Sequence, residues 1–237
     1  WKSKAKIVLL VISLKTYTMR IKSKFYGFTK INSPYDEFEY VISKNKIERF
    51  KELLVHSEVD PSNNKSYSIR AATKLNNYTM VKLLLEDGRA NPAEMLNVCV
   101  KTASEHGYIK ILKLLLKDER VDPTDDENYA LELAIENEKE KVIDILLSDE
   151  RIKVTENKYT CFKMGVEQLN CDLVRKLKKK GRVTSKEKLM NFFNIAMDNS
   201  NIEMADLLYS SLIKEKVKEK YPDYYKQKQI QKKVGSF

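Results

Sequence analysis

Apolar residues recur along this chain in short runs separated by a constant interval. The run Leu83-Leu84-Leu85 returns 31 residues later at 114–116 and again at 145–147. Within one interval, the apolar positions of 129–135 and of 142–147 follow the i, i+3, i+4 spacing of amphipathic helices. A proline-containing turn follows at 61, 92 and 123, where proline cannot continue a helix. The pattern predicts a repeated unit of helix, turn, helix and loop.

Two further sets of residues keep the same period. The turn motif occurs as Val59-Asp60-Pro61-Ser62, Ala90-Asn91-Pro92-Ala93, Val121-Asp122-Pro123-Thr124 and, more weakly, Ile152-Lys153-Val154-Thr155. A column of small residues consists of Val41, Ala72, Ala103, Ala134, Gly165 and Ala196. Small side chains there are expected where short helices of neighbouring units cross closely, since a larger side chain would separate the backbones. The period predicts six units between residues 36 and 211.

These units resemble ankyrin repeats. The family pattern A-x-x-G-H-x-x-x-V-x-L-L-L is similar to Ala103-Ser104-Glu105-His106-Gly107-Tyr108-Ile109-Lys110-Ile111-Leu112-Lys113-Leu114-Leu115-Leu116, a stretch one residue longer with its glycine at the turn between the helices. The resemblance covers about three quarters of the chain, with a period of 31 rather than the usual ~33. The T-P-L-H helix start is replaced by forms such as Tyr129-Ala130-Leu131-Glu132. The style is similar to that of ankyrin proteins of large DNA viruses of protists and of amoebae.

The resemblance implies an all-α ankyrin-repeat solenoid of about six helix-turn-helix units with short or trimmed hairpin loops. It also implies a concave surface, formed by loop tips and the ends of the first helices, that binds another protein. We therefore expect a non-catalytic protein-protein interaction scaffold that is a monomer.

Positive charge is concentrated near the two ends of the chain. The chain has a formal net charge of +10, of which residues 1–35 contribute +8 and residues 212–237 contribute +5, so residues 36–211 carry −3. This distribution argues against nucleic acid as the main partner of the repeats. Residues 1–35 are predicted to form a basic N-terminal segment, of which 1–18 resembles either upstream read-through or a weak secretory signal. Residues 212–237 are predicted to form a capping helix and a basic tail.

The composition offers little material for catalysis or cofactor binding. The six glycines form no phosphate-binding loop, and Cys99, Cys161 and Cys171 form no CxxC pair. Only His56 and His106 are available for a histidine-based site. We expect no enzyme activity, cofactor, metal or small-molecule substrate. No segment is long and apolar enough to span a membrane. The sequence favours the cytoplasm, allows the nucleus and disfavours secretion.

The candidate partner-binding residues lie in register with the repeats. Glu105, Glu136, Glu167 and Asp198 form an acidic column, which Lys74 precedes by one unit. Their chain neighbours His106, Asn137 and Gln168 belong to the same candidate surface. The predicted loop tips contribute Asn63, Asn64, Glu94, Asp125, Asp126, Glu156 and Asn157. The acids would favour a partner with a basic strip. The alternative interpretation is a solvated helix face with turn-forming residues at the tips.

Two rival functions remain open. One is an adaptor that recruits a target to other machinery, such as a ubiquitin ligase. The other is binding of nucleic acid or an anionic surface by the basic tails, with Tyr221, Tyr224 and Tyr225 interleaved among lysines.

Two other features are interpreted as structural. An arginine column of Arg89, Arg120, Arg151 and Arg182 is expected to meet the carbonyls at helix C-termini. The unit at 155–185 has Lys176 and Lys178 where other units have apolar residues, which predicts a weak core and a hinge.

Overall fold

The computed structural model describes residues 33–153, 159–181 and 183–234. Within these ranges there are fourteen helices and no strand, which confirms the predicted all-α class. Most of the predicted N-terminal segment lies outside the described residues, as do Glu156, Asn157 and Arg182. No helix in the described ranges has the length and hydrophobicity needed to cross a membrane. The helices are α1 (Pro34–Ser43), α2 (Ile47–Leu54), α3 (Asn63–Lys74), α4 (Tyr78–Asp87), α5 (Glu94–His106), α6 (Ile109–Leu115), α7 (Asp125–Glu136), α8 (Glu140–Ser148), α9 (Thr160–Glu167), α10 (Cys171–Lys180), α11 (Lys186–Asp198), α12 (Ile202–Leu208), α13 (Lys214–Lys220) and α14 (Pro222–Val234).

The chain divides into two compact units, residues 1–91 and 92–237. In the first unit, α1 packs with α2 and α3 with α4, while α1 also contacts α3 and α2 contacts α4. In the second unit the same scheme continues: the first helices α5, α7, α9 and α11 contact one another in order, as do the second helices α6, α8, α10 and α12. Each unit is therefore built of helix pairs arranged in two layers.

The turn inside each of these six pairs has the same backbone geometry. One residue per turn has φ between 51° and 76°, namely Asn45, Asn76, Gly107, Glu138, Leu169 and Ser200. The next amide donates to the carbonyl of the small-column residue five positions back, at 2.8–2.9 Å. This is the Schellman motif, in which a left-handed residue ends the helix. Gly107 avoids the cost of about 1–2 kcal/mol that a Cβ incurs in this region, and asparagine, present at 45 and 76, adopts it more readily than other residues. Packing of the helices must therefore stabilise the turns at Glu138, Leu169 and Ser200.

Asparagine begins several of the second helices. The side chains of Asn77, Asn170 and Asn201 accept hydrogen bonds from amides three residues later, at 2.9–3.0 Å. Each thereby satisfies one of the amides that lack a partner at a helix N-terminus. In these three pairs, the residue with positive φ that ends the first helix directly precedes the asparagine that caps the second helix.

The interior of each layer is apolar and keeps the 31-residue period. One leucine column is at most 2% exposed in every pair, and its members are Leu53, Leu84, Leu115, Leu146, Leu177 and Leu208. The small-residue column is also buried, as expected. Its packing reason, however, differs from the predicted one at Gly165. A Cβ there would lie 3.1 Å from Val174 and 3.3 Å from Leu173, both on the second helix of the same pair. At Gly165, a larger side chain would therefore press first on the second helix of its own pair rather than on a neighbouring unit.

The arginine column joins successive helix pairs within each compact unit. Arg89 donates to the carbonyls of Val59 and Leu54, at 2.9 and 2.6 Å, and holds Asp87 in a forked ion pair. The contacts recur at the same spacing from Arg151 to Val121, Leu116 and Asp149. Arg120 makes the same forked pair with Asp118. The expectation that these cations meet helix-end carbonyls is confirmed for Arg89 and Arg151, and the carbonyls belong to the preceding pair.

The pair α9 and α10 lacks the apolar triplet and is connected to its neighbours by polar groups. Lys176 forms an ion pair with Asp144 of α8 at 2.5 Å. Arg175 pairs with Glu203 of α12. Lys178 donates to the carbonyl of Leu207, also at 2.5 Å. The lysines that weaken the apolar core thus contact both adjacent pairs, and the predicted hinge stays a prediction.

Helices α13 and α14 pack against the last repeat through tyrosines. The rings of Tyr221 and Tyr224 lie 5.6 and 5.2 Å from the ring of Phe193, between centroids. Tyr224 is 6% exposed, and its hydroxyl donates to Asp206 at 2.7 Å. Burial raises the pKa of the Tyr224 hydroxyl, and the bond to the Asp206 carboxylate raises it further. Tyr224 is therefore part of the interior and is not available for stacking on nucleic acid.

Candidate partner-binding surface

The acidic column lies at the C-terminal ends of the first helices of the second unit. Glu136, Glu167 and Asp198 are the last residues of α7, α9 and α11, and Glu105 is the penultimate residue of α5. All four side chains are exposed. In the first unit, Lys74 is the exposed last residue of α3. The repeated architecture thus presents one carboxylate per helix pair at equivalent positions.

These carboxylates are poorly placed for helix stability. The C-terminus of a helix carries a partial negative charge, so an acid there costs roughly 0.3–1 kcal/mol where a cation would stabilise. Lys163 and His106 approach Glu167 and Glu105, each at 3.6 Å. Over the described part of the chain, no cation forms an ion pair with Glu136 or Asp198. The column therefore keeps an unfavourable charge pattern that the fold itself does not require.

The neighbours of the acids have roles in ending the helices. The side-chain amide of Asn137 donates to the carbonyl of Leu133 at 2.9 Å. Nδ1 of His106 lies 3.2 Å from the carbonyl of Thr102, and its ring lies against Tyr108 with 5.3 Å between centroids. Gln168 is the exposed residue that follows α9. Asn137 and His106 have structural partners, so the acids are the stronger candidates.

The loop-tip residues form a local backbone structure that the sequence did not reveal. Three consecutive residues with positive φ, a single left-handed turn, occur at 64–66, 95–97 and 126–128. The side chain of Asn63 accepts from the amide of Asn64 at 2.7 Å, and Asp125 accepts from Asp126 in the same way. Glu94 is the first residue of α5 and is half-buried. For Asn63, Asn64, Asp125 and Asp126, the turn-forming interpretation has direct support.

Two tip residues also connect neighbouring pairs. Asp125 accepts from the side-chain amide of Asn97 at 2.8 Å, and Asp126 pairs with Lys101 at 2.9 Å. Asn97 in turn accepts from the backbone amide of Asp122. Asp125 and Asp126 are therefore engaged within the protein, and the acidic column is the part of the predicted surface that remains open.

A pocket on the same face was not predicted from the sequence. It has a volume of about 640 Å³ and lies over α9, between α7 and α11. Its described lining includes Tyr129 and Glu132 of α7, Lys163 of α9, and Lys188 and Phe192 of α11. The sequence gives only a weak signal for this pocket, because the corresponding positions in successive units differ in residue type. The lining residues come together only in the fold.

Glu132 is the unusual group of this pocket. The side chain is half-buried. Burial raises the pKa of its carboxyl, the hydrogen bond with Thr160 opposes that effect, and the negative charges of Asp126 and Glu136 add to it. Among the described residues, none forms an ion pair with Glu132. The carboxylate is thus partly desolvated without a compensating cation.

Within the described residues no cluster of His, Cys, Asp and Glu has the arrangement of a metal site. Two of the three cysteines lie in surroundings that disfavour the thiolate form. Cys99 and Cys161 are buried, and burial raises the pKa of the Cys161 thiol to about 12. Burial also raises the pKa of Cys171.

Comparison with known proteins does not assign the chain to a family. No protein-family model matches the sequence, and no curated protein is similar to it at a significant level. The repeats and the surface described above are therefore the features of the chain that bear on its function.

Proposed function

We propose that this chain is an ankyrin-repeat protein and acts as a non-catalytic scaffold for protein-protein interaction. The resemblance of residues 103–116 to the family pattern supports the proposal. So do the six helix pairs with identical Schellman turns at a spacing of 31 residues. In such an architecture the surface, rather than a catalytic cleft, carries function.

The observation that carries the binding role is the acidic column. Four exposed carboxylates repeat at helix C-termini, where they oppose the helix dipole. A partner with a basic strip would neutralise this charge, and the interaction would depend on salt. The proposed partner surface comprises Glu105, Glu136, Glu167 and Asp198.

The test is affinity capture from a lysate of the source organism, with full-length protein as bait. The variant combines Glu105→Lys, Glu136→Lys and Glu167→Lys. The control combines Glu58→Lys, Glu119→Lys and Glu150→Lys, which changes the charge equally at exposed positions outside the column. We expect the column variant to lose a protein that the wild type and the control both retain.

Circular dichroism and urea unfolding show whether both variants remain folded. Recovery of the same proteins by all three baits would contradict a role for the acidic column. Recovery of nucleic acid by the wild type would instead favour the basic ends of the chain.

A further inference from the structure

The pocket over α9 lies beside the acidic column. Glu132 and Glu136 are one helical turn apart on α7, and the charge of Glu136 acts on Glu132. A segment that follows the column would therefore pass the pocket at Glu132. The pocket volume of about 640 Å³ is sufficient for a large side chain.

Lys163 and Lys188 line the pocket, and each contacts another side chain of the protein itself. Lys163 lies 3.6 Å from Glu167. The ammonium of Lys188 lies over the ring of Tyr159, 4.5 Å from its centroid. On α5, Lys101 pairs with Asp126 at 2.9 Å. Glu132 is left as a half-buried carboxylate without an ion pair in the described part of the chain.

The pocket also has an apolar lining, which α7 and α11 provide. Tyr129 is 41% exposed; the ammonium of Lys101 lies over its ring, 5.5 Å from the centroid, and the exposed remainder of the side chain is open to a ligand. Phe192 and Ile195 line the side provided by α11. An aromatic face beside a carboxylate suits a planar guanidinium, which can stack and donate two hydrogen bonds at once. A lysine ammonium would use the carboxylate but gain less from the ring.

We propose that this pocket receives an arginine side chain of the bound partner, with its guanidinium between Glu132 and Tyr129 and its aliphatic stem against Phe192. This inference rests on the proposed scaffold function and specifies how the partner is anchored. The raised pKa of Glu132 is consistent with it, because a bound cation would compensate the desolvation that raises that pKa.

The direct test uses short peptides with the full-length, isotope-labelled protein. The probe is acetyl-Ala-Ala-Arg-Ala-Ala-amide, and the matched probe contains citrulline, which has nearly the same shape without the charge. Titration is followed through the amide signals of residues 129–132 and 160–163. We expect saturable shifts with the arginine peptide in the millimolar range, and binding at least about tenfold weaker with citrulline.

Two variants locate the interaction. Glu132→Gln keeps the size of the side chain and should weaken arginine binding about tenfold. Tyr129→Leu should weaken it less, because only stacking is lost. Gln168→Ala is the control, since Gln168 is an exposed residue that does not line the pocket, and it should bind like the wild type.

Several results would overturn the proposal. They are equal binding of the citrulline peptide, an unchanged affinity in Glu132→Gln, stronger binding of a glutamate peptide, or no saturable shift up to about 10 mM. The outcome is separable from the scaffold function. If the acidic-column variant loses its captured protein while Glu132→Gln retains it at wild-type level, the scaffold stands and the arginine anchor fails. If Glu132→Gln loses a protein that the acidic-column variant retains, the arginine anchor stands and the role of the acidic column fails.

Discussion

The helix pairs α7–α8 and α9–α10 occupy successive positions in the second unit but use different residues on their second helices. The first pair places Ile145, Leu146 and Leu147 along its second helix, whereas the second pair has Lys176, Leu177 and Lys178. Both keep the Schellman turn, and both bury the central leucine completely. Only a few positions thus maintain the repeat, while the flanking positions can exchange apolar contact for ion pairs.

The difference has a predictable physical consequence. Apolar burial is insensitive to salt in the ordinary range, whereas ion pairs between half-exposed side chains are screened. The pair α9–α10 should therefore respond to ionic strength, and α7–α8 should respond to changes in side-chain volume.

The largest effect is expected from Ala134→Leu on α7. Ala134 is fully buried in the small-residue column, and three added carbon atoms would force the pair apart. We expect a loss of roughly 1–3 kcal/mol in the free energy of unfolding, measured by urea denaturation. Lys141→Leu adds a leucine at an exposed position of α8 and is the control. An unchanged urea midpoint in Ala134→Leu would contradict the packing argument.

Next in size is Arg151→Gln, which removes the contacts to the carbonyls of Leu116 and Val121. Because the arginine side chain is 40% exposed, we expect a loss of about 1–2 kcal/mol rather than the full cost of a buried charge. Arg175→Gln, which removes more exposed ion pairs of α10, should have a smaller effect. Equal effects of the two variants would show that the carbonyl contacts add nothing.

The Arg151→Gln variant should also change how the stability of the protein depends on pH. The hydrogen bond from Arg151 lowers the pKa of the Asp149 carboxyl. A carboxyl with a lowered pKa in the folded state contributes stability above its unfolded value of about 3.9, and that contribution is lost as the pH falls through the folded value. Urea midpoints at pH 6 and pH 3 should therefore differ less in Arg151→Gln than in the wild type. An equal difference in the variant and the wild type would show that Arg151 does not stabilise the Asp149 carboxylate.

A smaller and salt-dependent effect is expected from Lys176→Met. The variant removes the ion pairs with Asp144 and Glu140, at 2.5 and 3.7 Å. We expect a loss of about 0.2–1 kcal/mol at low salt that disappears near 1 M sodium chloride. Lys82→Met, which breaks a pair within α4, is the control for helix effects. A loss that persists at high salt would mean that the lysine stem, rather than its charge, stabilises the pair.

The smallest effect is expected from Gly165→Ala on α9. Alanine normally stabilises a helix interior by about 1 kcal/mol relative to glycine. Here the new methyl group would lie 3.1 Å from the side chain of Val174, so that side chain must move by a few tenths of an ångström and most of the gain should be lost. A full gain in urea unfolding would show that α10 moves away freely, as the predicted hinge requires.

The fold class was accessible from the sequence because its signals are local and repeated. The period of 31, the buried small column and the arginine column all follow from side-chain size and charge at regular spacing. The Schellman turns could be predicted from the sequence only in part. Gly107 marks one of them, while Glu138 and Leu169 have no local preference for positive φ. Their conformation results from the packing of the helices on either side.

The candidate surface was likewise only partly predictable from the sequence. The acidic column was visible as a periodic pattern, because one residue per unit sufficed to define it. The engagement of Asp125 and Asp126 was not visible, since their partners Asn97 and Lys101 are 28 and 25 residues away in the sequence. The left-handed turns at the loop tips could not be predicted either, because Met95 and Leu96 ordinarily avoid this conformation.

The sequence by itself determined the helical class, the repeat length and the column of exposed acids, because these depend on the periodic placement of residue types. Only the tertiary structure decided which helix Gly165 packs against and which carbonyls Arg89 and Arg151 contact. It also decided that Glu132 and Phe192 line one pocket although they lie 60 residues apart. Contacts between side chains of successive repeats depend on how the helices pack, and no local pattern encodes that arrangement.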